Sequence, residues 1–155
     1  MKHKPLFALL ACIIIFGCNK KDGNCPEVTI TAPSAEVATL KSYLDAAGIT
    51  AVEDDRGFFY TIASAGTGDY PTACSHVTVN YTGKLTNGIT FDDGDNVSFS
   101  LSQLITGWQE GIPLIAEGGS ITLYLPPSLA YGSAANGSIP ANSNLIFIID
   151  LKSVN

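Results

Sequence analysis

Proton-transfer and nucleophilic chemistry need a positioned base, and this chain is poor in them. It has two histidines; His3 lies at the amino terminus, and His76 stands alone within an alternating stretch, so no catalytic triad can be assembled around it. Cys74 and His76 share one strand face, but no second Cys or His pair completes a metal site. Asp92, Asp93, Asp95 and Asn96 superficially resemble a calcium loop; they lack the glycine and terminal glutamate at the required spacing, and the segment reads as a solvated acidic turn. No metal or cofactor is therefore expected. What stands out is a set of aromatic and branched residues beside turns: Tyr81, Phe91, Ile105, Trp108, Tyr131, Ile139 and Phe147. Any one alone reads as core; the whole set in its turn contexts reads as a surface built to bind. Nucleic acid is not its target, because 8 Lys plus Arg face 14 Asp plus Glu, the net charge is -6, and Arg56 is the only arginine.

The elements that must carry these residues are short. Ser34 precedes Val37, Leu40, Leu44 and Ala47, a spacing that predicts a helix with one apolar face, capped by Ser34 and ended by Gly48. From Gly57 the pattern changes to alternation. Residues 58–62, the Val77, Val79, Tyr81 face and the Ser120–Leu125 stretch read as half-buried strands, and the nearly continuous apolar run 145–151 reads as a central strand. Asn87-Gly88 between two alternating runs predicts a hairpin with both turn residues at positive φ. One short helix is predicted over 105–112, stopped by Pro113. The fold class is α+β, a small antiparallel sheet with little helix.

The amino-terminal region reads as an address. Two lysines precede an uncharged run over 5–17, the pattern of a signal peptide, and that run is short of the ~20 residues a membrane span requires. It ends Ile15-Phe16-Gly17-Cys18, which resembles the lipobox of bacterial lipoproteins, so Cys18 is the expected acylation site. The expected organisation is a signal peptide over 1–17, a lipidated tether over 18–33, a helical extension over 34–55 and a compact domain over 56–155. The localisation this implies is a lipoprotein of the cell envelope, at the outer membrane, on its periplasmic face or at the cell surface. Cys25 and Cys74 remain, either bridged or as free thiols.

Four stretches carry a resemblance to a known family. VTVNYTGKLTNGITFDD from Val77, ITGWQEGI from Ile105, PPSLAYG from Pro126 and IPANSNLIF from Ile139 are similar, in order and spacing, to the motifs of the FKBP-type peptidyl-prolyl isomerases. The resemblance implies a twisted antiparallel sheet curled around a short helix, with a cleft that takes up a prolyl ring. It implies that Trp108 forms the floor, that Tyr81, Phe91 and Phe147 form walls, and that Leu104 and Ile105 stand at the rim with the Ile105 amide bonding the peptide. Tyr131 would donate to a peptide carbonyl, Ile139 would close the flap side, and Asp92 would sit beside the twisting carbonyl. Val97 stands where many members have a cleft phenylalanine, which predicts a thinner wall, and no arginine follows the hairpin to pair with Asp92.

The implied reaction explains the missing acids and bases. Rotation about an X-Pro bond faces about 18–20 kcal/mol because resonance stiffens the C–N bond. No bond breaks, so preferential binding of the twisted amide is sufficient. The implied partners are proline-containing extended or unfolded chains, and macrolide inhibitors are compatible with such a cleft. A monomer is expected. The alternative reading is a non-catalytic chaperone or peptide-binding module with the same cleft.

Overall fold

The computed structural model describes Cys25 and residues 28–155; the expected signal peptide and Cys18 lie outside the described residues. The chain forms α1 (Ser34–Ala46), β1 (Val52–Glu53), β2 (Phe59–Ser64), β3 (His76–Leu85), β4 (Thr90–Ser100), α2 (Thr106–Gly111), β5 (Ser120–Leu125) and β6 (Leu145–Val154). The strands make one antiparallel sheet in the order β1-β2-β5-β6-β3-β4. This is the α+β architecture that the residue pattern predicts, with a sheet wrapped on a short helix. No helix among the described residues is long and apolar enough to cross a membrane.

Strand alternation sends two sets of side chains to opposite faces. On the concave face, cross-strand pairs Val79 with Leu151, Tyr81 with Ile149 and Leu85 with Leu145 join Leu123 and Leu125 in the main core against α2. The glycines at 107 and 111 allow this approach, because a Cβ at either would lie 2.5 Å from Leu125 or Leu123 side-chain atoms. On the convex face, Phe59, Tyr124 and Ile146 are neighbours across β2, β5 and β6, and α1 covers them with Leu40 and Leu44. The apolar run of β6 is thereby explained: Ile146 sits under α1 and Phe147 in the core, whereas Ile148, beyond the helix, stays 44% exposed.

Several local expectations are corrected. Ser34 does not cap α1; Pro33 holds that position without a side-chain bond, and Ala47 is exposed. Gly48, at φ 67°, ends the helix. In the hairpin only Gly88 takes positive φ. Gly88 N–H bonds the Leu85 carbonyl, Leu85 N–H bonds the Ile89 carbonyl, and Asn87 instead accepts the Ile89 N–H through its side chain, so the loop is one residue longer than a two-residue turn. The acidic stretch 92–96 is no turn after the hairpin, because it lies inside β4. Pro113 falls within a 3-10 turn, Ile112–Leu114, that extends the end of α2.

The segment before α1 is docked at two described points. Cys25 and Cys74 are joined by a disulfide with a sequence separation of 49, a closure that stabilises by about 4 kcal/mol in chain-entropy terms. Ala32 is buried and its N–H bonds the Arg56 carbonyl at 2.8 Å. The helical extension also continues into the sheet, since Val52–Glu53 forms its edge strand on β2.

Candidate active site

The polypeptide builds its cleft where α2 meets the open half of the concave face. The chain enters from the 3-10 turn Leu101–Gln103 through Leu104 and Ile105, whose carbonyl accepts the Trp108 N–H at 3.0 Å. Gln109 Nε2 donates to the Leu104 carbonyl at 2.7 Å and fixes this entry strand to the helix. Trp108 is thus aimed at the sheet and is only 4% exposed. Three rings stand edge-on to its indole: Tyr81 at 5.3 Å and 80°, Phe99 at 5.9 Å and 88°, and Phe147 at 5.3 Å and 90°. Edge-to-face contact suits the ring quadrupoles. It also makes walls perpendicular to a floor.

The resulting cavity is about 240 Å³ and is lined by Tyr81, Asp92, Phe99, Gln103, Leu104, Ile105, Trp108, Tyr131 and Phe147. The indole therefore opens onto a slot. Seven of the residues singled out in the sequence meet there, and three do not. Phe91 leans edge-on against Phe147 at 5.6 Å and lies outside the lining. Val97 is paired across from Val79 on β4, and Ile139 is buried in the main core beside its bridge to Asn136.

Two lining residues escaped the sequence reading, Phe99 and Gln103. Phe99 supplies the aromatic wall that a valine at 97 had suggested was missing. Its placement follows from a register shift in β4: Tyr81 faces Gly94, but Val79 faces Val97, with Asn96 at φ 52° and its N–H taken by the Asn80 side chain at 2.8 Å. A bulge of this kind moves the facing by one residue. Asp92 and Phe99 thereby share the concave face although strict alternation separates them.

Electrostatically the slot is neutral donors around one carboxylate. Tyr81 Oη donates to Asp92 Oδ2 at 2.8 Å, which gives Asp92 the partner that an arginine would otherwise supply. Burial, then the hydrogen bond and charge of Asp92, push the Tyr81 phenol up to about 12. Burial and Asp92 also raise Tyr131. Both hydroxyls therefore remain protonated donors at neutral pH. Arg56 is committed elsewhere, donating to Asp54 at 2.7 and 3.0 Å and lying over Phe58.

On the same helix as Trp108, but in a separate cavity shared with Arg56 and Asp54, Glu110 is 3% exposed and neither carboxylate oxygen has a hydrogen-bond partner; Trp108 Nε1 is likewise buried and unpartnered. Arg56 Nε approaches Glu110 Oε2 only to 3.7 Å. Burial outweighs that attraction and raises the Glu110 carboxyl to about 7.

A model of the family described as FKBP-type peptidyl-prolyl cis-trans isomerase matches residues 68–152. The chain belongs to this family. A probable FKBP-type isomerase of Haemophilus influenzae is 46% identical over 104 residues, 64% of this chain and 43% of that protein. FkpA of Escherichia coli, an FKBP-type isomerase, is 43% identical over 102 residues, 63% of this chain and 38% of that protein. The chain thus spans about two fifths of the length of these curated relatives. The FKBP fold is equally plain in solved structures. The crystal structure of Escherichia coli FkpA superposes with a TM-score of 0.71 at 37% identity, covering 79% of this chain and 60% of that one. A Pseudomonas syringae peptidyl-prolyl isomerase gives 0.70 at 29% identity, covering 80% and 97%.

Proposed function

We propose that this FKBP-type chain is a peptidyl-prolyl cis-trans isomerase acting on extended or unfolded proline-containing polypeptides. The observation that carries the reading is the slot itself: an indole floor with three rings set nearly perpendicular to it, open enough at about 240 Å³ for a prolyl ring. In this reading the ring rests on Trp108 between Tyr81, Phe99 and Phe147. The Ile105 N–H and the Tyr131 hydroxyl bond the peptide carbonyls on either side, and Leu104 and Gln103 border the residue before proline.

The rate gain comes from differential binding. A planar amide oxygen carries more negative charge than a twisted one, so it loses more on leaving water for an apolar slot; the twisted amide is favoured by comparison. Each ~1.4 kcal/mol of that preference is tenfold in rate. Asp92, held by Tyr81, sits where the carbonyl turns. Phe91 acts indirectly, by bracing Phe147.

We further read residues 1–17 as a signal peptide and Cys18 as an acylated anchor, which places the domain in the cell envelope on the short tether that follows. The support is the lipobox-like sequence. Cys18→Ser should move the protein from the membrane to the soluble fraction; unchanged partitioning counts against the anchor.

The isomerase test is cis-to-trans conversion of a short X-Pro peptide by the whole chain. Acceleration over buffer, reduced in Trp108→Ala, is expected. A wild-type rate equal to buffer would leave only a peptide-binding module.

A further inference from the structure

We propose that Glu36, in the first turn of α1, is a positioning residue for the cleft, holding the turn that leads into Tyr131. The inference rests on the isomerase reading. Its starting point is a single bond: Glu36 Oε2 accepts the Ser128 N–H at 2.9 Å across 92 positions of sequence, in a partly buried setting.

The bond matters because of what surrounds its donor. Ser128 lies in the 3-10 turn Pro127–Leu129, which follows Pro126. The two prolines have no N–H to give. Leu129 N–H bonds the Pro126 carbonyl, and Ala130 and Gly132 N–H both bond the Pro127 carbonyl. Ser128 N–H is the donor in 128–130 that the turn does not satisfy from its own carbonyls, and a buried N–H left unmet is costly. Glu36 meets it with a charged acceptor, the stronger kind of hydrogen bond.

Tyr131 is the next residue but one after the turn, and the chain just past it is pinned at Gly132, whose N–H bonds the Pro127 carbonyl and whose carbonyl accepts the Asn142 N–H at 3.1 Å. Tyr131 itself is 38% exposed, so packing alone holds its ring only in part. Nor is α1 tightly packed on the turn. A cavity of about 240 Å³ lies among Ala35, Glu36, Thr39, Pro127, Asn142 and Asn144, which leaves the Glu36 bond as the tie across a gap. The helix end of that tie is firm, because Leu40 and Leu44 are buried on Phe59 and Tyr124. α1 precedes the residues matched by the family model, 68–152, so Glu36 adds to the cleft from outside the matched domain.

The test compares Glu36→Ala and Glu36→Gln with wild type in the full-length chain, using the X-Pro peptide assay at a temperature where all are folded. Glu36→Ala should raise KM about fivefold with kcat changed less than about twofold, and Glu36→Gln, whose amide oxygen still accepts, should restore most of it. In a Tyr131→Phe background the Glu36→Ala effect should shrink below about twofold, because both changes act on one group. The Ser128 amide should lose hydrogen-exchange protection in Glu36→Ala. Equal losses in both backgrounds, or unchanged KM, overturn the proposal. If Glu36→Ala does not fold, Glu36→Asp, one methylene too short to reach, must show the same KM shift for the proposal to stand. If wild type proves inactive, the isomerase reading falls by itself. The positioning claim is then decided by titrating Ala-Leu-Pro-Phe against Trp108 fluorescence, where affinity unchanged by Glu36→Ala overturns it.

Discussion

The two faces of the sheet start from the same alternation and end differently. On the convex face, α1 lays Leu40 and Leu44 onto Phe59 and Tyr124 and leaves all four buried. On the concave face, the six-residue α2 is brought close by its glycines but ends too soon to seal the sheet, and the rings around Trp108 border an open slot. Buried polar atoms without partners are also concentrated on α2: among the described residues, three of the four are Trp108 Nε1 and the two Glu110 oxygens. Such groups each cost on the order of 1–3 kcal/mol. One face is built for stability, and on the other the helix that floors the slot gives some of it up.

The comparison is broken or sharpened by substitution. Leu40→Ala on the convex face should cost about 2–5 kcal/mol of stability while kcat/KM at a folding-permissive temperature falls by no more than the roughly fivefold expected for loss of the Glu36 tie; a larger loss would mean that α1 reaches the cleft by more than that one bond. Glu110→Gln probes α2 through pH. The Glu110 carboxyl sits at about 7 when folded against 4.5 ordinarily. Between these values the unfolded chain has released a proton that the folded chain keeps, so wild-type stability declines as pH rises from 4.5 through 7. Gln cannot ionise, and its variant should be more stable than wild type by on the order of 2–3 kcal/mol at pH 8 and equal near pH 4. Parallel denaturation curves at both pH values would refute the assignment.

Trp108→Leu should lower kcat/KM about 30-fold, roughly 2 kcal/mol of transition-state binding. Melting temperature and activity falling in proportion would instead make the indole ordinary core. The smallest effect is expected from Tyr131→Phe, about three- to tenfold in kcat/KM for loss of one hydroxyl donor, with a rate profile level between pH 6 and 9 in both proteins because the phenol is raised from its ordinary value. A wild-type rate that falls within that range would contradict a protonated donor.

Much of this was legible in residue order. Trp108 and Tyr131 stand in motifs whose turn residues mark them, the Ser120–Leu125 strand and the central strand show their periodicity, and Leu40 and Leu44 lie one helical turn apart. Phe99 was not legible. Counting by twos from Asp92 puts it on the opposite face, and only the β4 bulge at Asn96 reverses that. The motifs make Phe91 a cleft wall and Ile139 the flap-side closure, yet Phe91 stands behind Phe147 and Ile139 lies in the core beside its Asn136 bridge. Ser34 looked like a cap, but Pro33 had already supplied the entry geometry.

The sequence by itself determined four of the six strands, the two helices and the chemistry on offer, because period and turn chemistry are local and because a chain with so few bases offers binding in place of proton transfer; β1 and most of β4 it did not mark. Only the tertiary structure decided which rings face the slot, that Tyr81 rather than an arginine holds Asp92, and that Glu36 reaches the turn before Tyr131. Those outcomes depend on register, bulges and contacts between distant segments, where a shift of one residue reverses a side chain and no local pattern records it.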